Sequence, residues 1–81
     1  MKIPKIIDVS PQDNLILLIK FSDGKIRNYD CKKILDRNEY YQRLKNKNYF
    51  KNVQIDSGGH GVSWDDNVDI SEHEILTNSY T

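Results

Sequence analysis

The sequence is poor in several residue types, and each scarcity narrows the classes of protein to which the chain can belong. Alanine is absent, cysteine occurs once, and the longest uninterrupted apolar run, from Leu15 to Ile19, has five residues. A helix that spans a bilayer needs ~20 apolar residues, and the N-terminus lacks the apolar stretch of an export signal. The single Cys31 cannot form a disulfide within the chain, which suits a reducing compartment. We therefore expect a cytoplasmic protein that does not associate with membranes.

The residues that are present favour strands. Ten isoleucines, five tyrosines and four valines stand among 81 residues, of which 37% are hydrophobic. Such β-branched and aromatic side chains fit a pleated, half-buried surface, whereas the best helix former is missing. A chain of this length buries about 60% of its unfolded surface. We expect one domain over residues 1–81, with an ordered core over about 3–77 and a frayed segment at 78–81.

The charges cancel overall but are unevenly distributed. All twelve Lys and Arg lie in residues 1–53 with six acids, which gives that part a charge of +6. Residues 54–81 have a charge of −6, from Asp56, Asp65, Asp66, Asp69, Glu72 and Glu74. This asymmetry has two explanations: the two halves attract each other within the fold, or the acidic third docks on a small basic partner protein.

A hairpin dominates the first half. The alternation predicts strands over Ile3–Val9, Leu15–Phe21 and Lys25–Asp30, with the last two joined by Asp23-Gly24 in a type I′ turn. The register of such a two-residue turn places Leu18 opposite Tyr29.

That register puts three apolar side chains on the reverse face of the hairpin: Ile16, Leu18 and Tyr29. Either a helix of the chain or a partner protein covers this face. Because a domain this small readily covers one sheet face but not two, an uncovered patch of these residues would bind a partner protein.

Two helical segments are predicted by capping boxes. The first runs from Asp36 to Glu39, with Asp36 as the cap, and opens a helix in which Tyr40 and Leu44 stack at i,i+4. The second, from Ser71 to Glu74, opens a last helical turn.

Short strands occupy the remainder, over Val53–Ile55, Val62–Trp64 and Val68–Ile70. Tight turns join most consecutive strands, which predicts antiparallel pairing. The predicted fold is α+β: an antiparallel sheet of about four to five strands, with one main helix and a short C-terminal helix packed on one face. A sheet edge of this kind also allows a homodimer.

The motifs for catalysis and metal binding are incomplete. Asp65 to Asp69 opens like a calcium loop, but Ile70 stands where that loop needs glycine. The glycines around His60 lack the lysine of a phosphate-binding loop. No spacing brings Cys31 to either histidine. We expect no enzymatic activity, no catalytic residue, no metal and no cofactor.

Nucleic-acid binding is the alternative function. The segment 32–51 interleaves aromatic residues with seven cations, a composition typical of single-strand binders. The candidate residues are Lys32, Lys33, Arg37, Arg43, Lys45, Lys47 and Lys51, with Tyr49 as a stacking residue.

An ordered set of landmarks also resembles a known family. It runs through Phe21-Ser22-Asp23-Gly24-Lys25, Arg27, Asp30, Ile34-Leu35, Tyr40-Tyr41, Leu44, Phe50-Lys51-Asn52-Val53, Trp64, Val68-Asp69-Ile70 and Glu74-Ile75-Leu76. In this order it resembles the bacterial family catalogued as domain of unknown function 2442, over about residues 7–76. The resemblance implies a small α+β domain, often encoded beside a small partner protein as in toxin–antitoxin pairs. It implies no catalytic residues, and the helix-turn-helix extension of some members is absent here.

Together these observations predict a non-enzymatic protein-binding module. It would act as an antitoxin-like protein or as an inhibitor of a nucleic-acid-handling partner, such as a host defence nuclease, and would dock through its acidic C-terminal third. RNA or single-stranded DNA binding through residues 32–51 is the alternative.

Overall fold

A computed structural model describes residues 4–81, so the predicted strand start at Ile3 lies outside the described residues. Six strands are present: β1 (Ile6–Pro11), β2 (Ile16–Phe21), β3 (Ile26–Asp30), β4 (Gln54–Ile55), β5 (Gly61–Asp65) and β6 (Val68–Ser71). There are two short α-helices, α1 (Lys47–Phe50) and α2 (Glu72–Asn78). Four 3₁₀ segments span Asp13–Leu15, Cys31–Ile34, Glu39–Lys45 and Ser57–Gly59.

The strands form two antiparallel sheets of three strands each, ordered β1-β2-β3 and β4-β5-β6. The α+β class and the antiparallel pairing are therefore confirmed, but the prediction of one sheet with four to five strands is wrong. Each sheet is a meander of neighbouring strands. Residues 31–53, which contain two 3₁₀ segments and α1, separate the two meanders along the chain.

The β2–β3 hairpin is one residue out of the predicted register. Phe21 N–H donates to Lys25 O and Gly24 N–H to Phe21 O, both at 2.9 Å. Gly24 has φ +88°, so the loop is a three-residue one that ends in a left-handed residue, rather than a type I′ turn. Tyr29 consequently pairs with Leu17 instead of Leu18. Because side chains alternate along a strand, this slip moves Tyr29 to the opposite face of the sheet.

The core lies between the sheets and the helical segments. Buried side chains of the core come from β2, from the second sheet and from the helical segments. Its fully buried side chains are Leu17, Ile19, Phe21, Tyr29, Cys31, Ile34, Leu44, Val62, Val68, Ile70 and Ile75.

The predicted main helix is a 3₁₀ segment followed by α1. Asn38, not Asp36, caps it by accepting a hydrogen bond from Tyr40 N–H. In a 3₁₀ segment side chains three apart share a face, so Tyr41 and Leu44 are buried while Tyr40 is 38% exposed. The predicted pairing of Tyr40 with Leu44 is therefore wrong by one residue.

The C-terminal helix follows its prediction. Ser71 caps α2 by accepting a hydrogen bond from Glu74 N–H. Beyond the helix, Tyr80 pairs with Asn28 of β3 through two backbone hydrogen bonds of 2.7 and 2.9 Å, within the segment expected to fray. No helix among residues 4–81 has both the length and the apolar character needed to cross a membrane.

Candidate partner-binding and anion-binding surfaces

One face of the first sheet packs on the core and the other does not. Leu17, Ile19 and Phe21 point into the core, while Ile16 and Leu18 alternate with them and are only half-buried. Across the strands, Leu18 pairs with Ser10 of β1 on one side and with Asn28 of β3 on the other, and these residues form one cross-strand row. Because directly paired residues share a face, this row extends from Asn28 to Tyr80.

Two large apolar side chains are exposed on this outer face. Ile26 pairs with Lys20 and is 49% exposed, and Tyr80 is also 49% exposed. Polar side chains share the face, because Lys20 and Asn28 lie in the same cross-strand rows. We call the set of Ile16, Leu18, Ile26 and Tyr80 the open sheet face.

The sequence predicted part of this surface. It identified Ile16 and Leu18 but missed Ile26 and Tyr80. The three-residue spacing between Phe21 and Lys25 is the signal for Ile26, because a loop that ends in glycine accommodates three residues as readily as two. The pairing of Tyr80 has no local sequence signal.

Tyr29 is not part of the open sheet face. The side chain is fully buried, and its hydroxyl donates to Glu74 Oε2 at 2.8 Å. Burial raises the pKa of Tyr29 well above its ordinary value, and the hydrogen bond to Glu74 adds to the shift. The placement of Tyr29 on an uncovered patch is thus corrected, and its hydroxyl joins the first sheet to α2.

Two of the six C-terminal acids are neutralised within the fold. Asp65 Oδ2 accepts from Arg43 Nη1 at 2.9 Å and from the Tyr49 hydroxyl at 2.7 Å. Hydrogen bonds from Tyr49, from Asn67 N–H and from Arg43 lower the pKa of Asp65. Glu74 Oε1 lies 3.2 Å from Arg37 Nη2. For Asp65 and Glu74, these contacts support the explanation that the basic and acidic parts of the chain attract each other within the fold.

The other four acids have no Lys or Arg partner within residues 4–81. Asp66 and Asp69 are exposed, and Asp69 only accepts a long hydrogen bond from Tyr41. Asp56 accepts from the Ser63 hydroxyl at 2.6 Å, and Glu72 lies 3.4 Å from His60 Nδ1. The acidic third therefore keeps most of its negative charge, concentrated in the exposed carboxylates at 66 and 69.

The basic segment 32–51 is largely engaged in internal contacts. Arg37 and Arg43 form the two ion pairs above and also lie over the rings of Tyr41 and Tyr40, at 5.5 and 5.1 Å. Burial and the bond to Asp65 raise the pKa of Tyr49 to about 12, which marks its hydroxyl as a donor rather than a free surface group.

The two lysines at the start of the segment also serve the fold. Lys32 pairs with Asp30 at 2.9 Å and donates to Asn14 O at 2.6 Å. Lys33 donates to Asn78 O at 2.9 Å, where a cation stabilises the carboxyl end of α2.

The three remaining cations of the segment converge on one cleft. Lys45, Lys47 and Lys51 line a cleft of about 430 Å³ with Phe50. The opposite wall is the loop after β1, formed by Pro11, Gln12, Asp13, Asn14 and Leu15. Within residues 4–81 no carboxylate forms an ion pair with any of these lysines.

Cys31 lies in a setting that disfavours nucleophilic chemistry. The thiol is fully buried, and burial raises its pKa to about 12, with a smaller contribution from Asp30. A thiol in that state holds its proton at neutral pH. In the described part of the chain, no three His, Cys, Asp or Glu side chains cluster as metal ligands do.

Comparison with known proteins adds one match. A family described as "Protein of unknown function (DUF2442)" matches residues 6–81, which is nearly the whole chain. No curated protein and no solved structure matches the chain.

Proposed function

Because the chain belongs to the DUF2442 family, whose function is unknown, its role has to be inferred from its own surfaces, and we propose that it is a non-enzymatic protein-binding module. The open sheet face carries this proposal. Four apolar side chains share one face of β2 and β3 and of Tyr80, which pairs with the edge of β3, and they take no part in the core.

The physical reason is the cost of leaving such a face in water. Hydrophobic burial contributes about 25 cal/mol per Å² of apolar surface removed from water, and contiguous exposed apolar patches on small soluble proteins commonly mark interaction sites. Single exposed apolar residues need no explanation. Here Ile26, Leu18 and Tyr80 lie on one face in neighbouring rows, with Asn28 between Leu18 and Tyr80 and Lys20 opposite Ile26, so they belong to one mixed surface with polar residues among the apolar ones.

The partner that fits this molecule is small and basic. Four acids of the C-terminal third lack a Lys or Arg partner within residues 4–81, and exposed carboxylates speed the approach of a basic protein. Proteins that handle nucleic acids carry basic surfaces, which supports an antitoxin-like or inhibitory role toward such a protein. The open sheet face would then supply most of the affinity, and Asp66 and Asp69 the attraction at long range.

The test compares two exposed isoleucines. Tagged wild-type chain, Ile26→Glu and Ile55→Glu are expressed in the native cell, and circular dichroism confirms that each folds. Ile26 lies on the open sheet face, whereas Ile55 lies on β4 in the other sheet. We expect one stoichiometric protein to copurify with the wild type and Ile55→Glu and to be lost from Ile26→Glu. A partner that binds all three chains equally would contradict the assignment of the face.

Nucleic-acid binding along the whole segment 32–51 is the weaker alternative. Four of its seven cations are engaged by Asp30, Glu74, Asp65 and the Asn78 carbonyl. Only the cleft lysines remain free to contact an anion, which is too few to follow the backbone of a long strand.

A further inference from the structure

We propose that the cleft between the β1–β2 loop and α1 is a binding site for a nucleoside phosphate, independent of the open sheet face. The site unites three lysines, an apolar floor and two side-chain amides.

The positive charge of the cleft is the first argument. Lys45 ends a 3₁₀ segment, and Lys47 and Lys51 lie one helical turn apart on α1 and its cap, so the three ammonium groups share one wall. Asp13 is the single acid that lines the cleft, which leaves a net charge of +2. Like charges held together destabilise a fold, and a phosphate group between them reverses that effect.

The shape and lining of the cleft indicate what the phosphate is attached to. A volume of about 430 Å³ lies within the range of small-molecule sites and is far larger than an inorganic anion requires. Pro11, Leu15 and Phe50 supply apolar surface, while Gln12 and Asn14 supply amide groups. A base combines an apolar ring face with hydrogen-bonding edges, so this lining suits a nucleoside better than a simple sugar or acid.

The loop that forms the opposite wall is held in a defined shape. Asn14 and Leu15 both have positive φ, 62° and 61°, a conformation that is strained for a residue such as leucine. Two contacts hold the loop: Gln12 N–H donates to Ile16 O at 2.7 Å, and Lys32 Nζ donates to Asn14 O at 2.6 Å. A pre-formed wall lowers the entropy cost of ligand binding.

Trp64 provides an intrinsic probe. It is the single tryptophan of the chain, its ring stacks on Phe50 at 5.9 Å, and its Nε1–H donates to Phe50 O at 2.9 Å. A ligand that contacts Phe50 therefore changes the surroundings of the indole, and binding is followed by tryptophan fluorescence.

The experiment titrates the full chain with ADP, with AMP and with inorganic phosphate at low salt. The cleft variant is Lys47→Gln/Lys51→Gln. The matched control is Lys5→Gln/Lys25→Gln, which removes the same charge from exposed positions outside the cleft. We expect saturable binding of ADP, at least tenfold weaker binding by the cleft variant, and no change in the control. Inorganic phosphate should bind at least tenfold more weakly than ADP.

Three outcomes would overturn the site. ADP fails to bind, the two lysine variants weaken it equally, or phosphate binds as tightly as ADP. If the cleft variant does not fold, chemical-shift mapping of the wild-type chain with ADP decides instead. Shifts confined to residues 11–15, residues 45–51 and the Trp64 indole support the site, and shifts elsewhere overturn it. The open sheet face shares no residue with this cleft. A negative result for nucleotide binding therefore leaves the proposed protein-binding role untouched, and the reverse also holds.

Discussion

Three tyrosine hydroxyls connect parts of the chain that lie far apart in sequence. Tyr29 donates to Glu74, Tyr49 to Asp65, and Tyr41 to the Asp69 backbone carbonyl at 3.2 Å. Each bond joins a residue of the first 53 to an acid of the last third. Part of the uneven charge of the sequence thus stabilises the fold, because Arg37 and Arg43 form ion pairs with two of these acids, Glu74 and Asp65.

The Asp65 contact gives a prediction about acid stability. Hydrogen bonds from Tyr49, Asn67 and Arg43 lower the pKa of Asp65 below its ordinary value of 3.8. The stabilisation they provide is therefore present above that value and is lost as the pH falls through the lowered pKa. We expect Asp65→Asn to be less stable than wild type at pH 7, and this deficit to shrink below pH ~4.

The measurement is the free energy of unfolding by urea between pH 2 and 7. Asp66→Asn is the control, because Asp66 is exposed and has no ion pair among residues 4–81. A deficit for Asp65→Asn that stays constant across this range would show that the carboxylate charge is not what stabilises the contact.

At the scale of single elements, the sequence predicted which segments are strands and that they pair antiparallel. It did not predict the register of the β2–β3 hairpin or the division of the strands into two sheets. Alternation of apolar residues identified β2, β5 and β6, and the Ser71 box identified α2, because these signals are local. The division into two sheets depends on contacts between distant strands. The buried face of the segment Glu39–Lys45 depends on whether it winds as α or 3₁₀, a choice that tertiary packing makes.

Much of the candidate site could not be predicted from the sequence either, because it also depends on contacts between distant residues. Ile16 and Leu18 follow from alternation within one strand, whereas Tyr80 reaches the open sheet face only through its pairing with Asn28. Likewise, nothing local in the sequence brings residues 11–15 against Lys45 and Lys51.

Alanine substitutions at two glycines distinguish the cost of backbone strain from the cost of a steric clash. Gly24 in the β2–β3 loop has φ +88° with open space around its missing Cβ. Gly59 has φ +72°, and a Cβ there would lie 2.6 Å from the carbonyl oxygen of Ile6. We expect Gly24→Ala to cost about 1 kcal/mol through strain alone. Gly59→Ala should cost clearly more, because backbone has to move.

Urea unfolding of both alanine variants checks this order. Asn at position 24 tolerates the left-handed region better than Ala, so Gly24→Asn should recover part of the lost stability. Equal costs at positions 24 and 59 would contradict the close approach of the 3₁₀ segment Ser57–Gly59 to β1.

At the scale of the whole molecule, the net charge of zero conceals separate surfaces. The acidic third retains exposed carboxylates at Asp66 and Asp69, while three lysines gather at the cleft. Asp65 offers less free charge than these two, because Arg43 and Tyr49 already contact its Oδ2. We therefore expect long-range attraction to a basic partner to depend mainly on Asp66 and Asp69.

This distribution predicts how charge removal affects association. We expect Asp66→Asn/Asp69→Asn to slow association with the copurified partner severalfold and to reduce its salt dependence, with little change in dissociation. Asp36→Asn/Glu39→Gln is the control, since it removes the same charge from exposed positions outside both the acidic third and the open sheet face. Stopped-flow kinetics measures both rates. An unchanged association rate for the variant at 66 and 69 would show that these carboxylates do not steer the partner.

The most direct test of the protein-binding role observes the open sheet face itself. Isoleucine methyl groups are labelled, and their attenuation by a soluble paramagnetic probe is measured for the free chain and for its complex with the purified partner. Ile16 and Ile26 lie on the open sheet face, whereas Ile55 lies on the second sheet. We expect the partner to shield Ile16 and Ile26 while Ile55 stays accessible. Shielding of Ile55 with Ile16 and Ile26 still accessible would contradict the protein-binding role of the open sheet face.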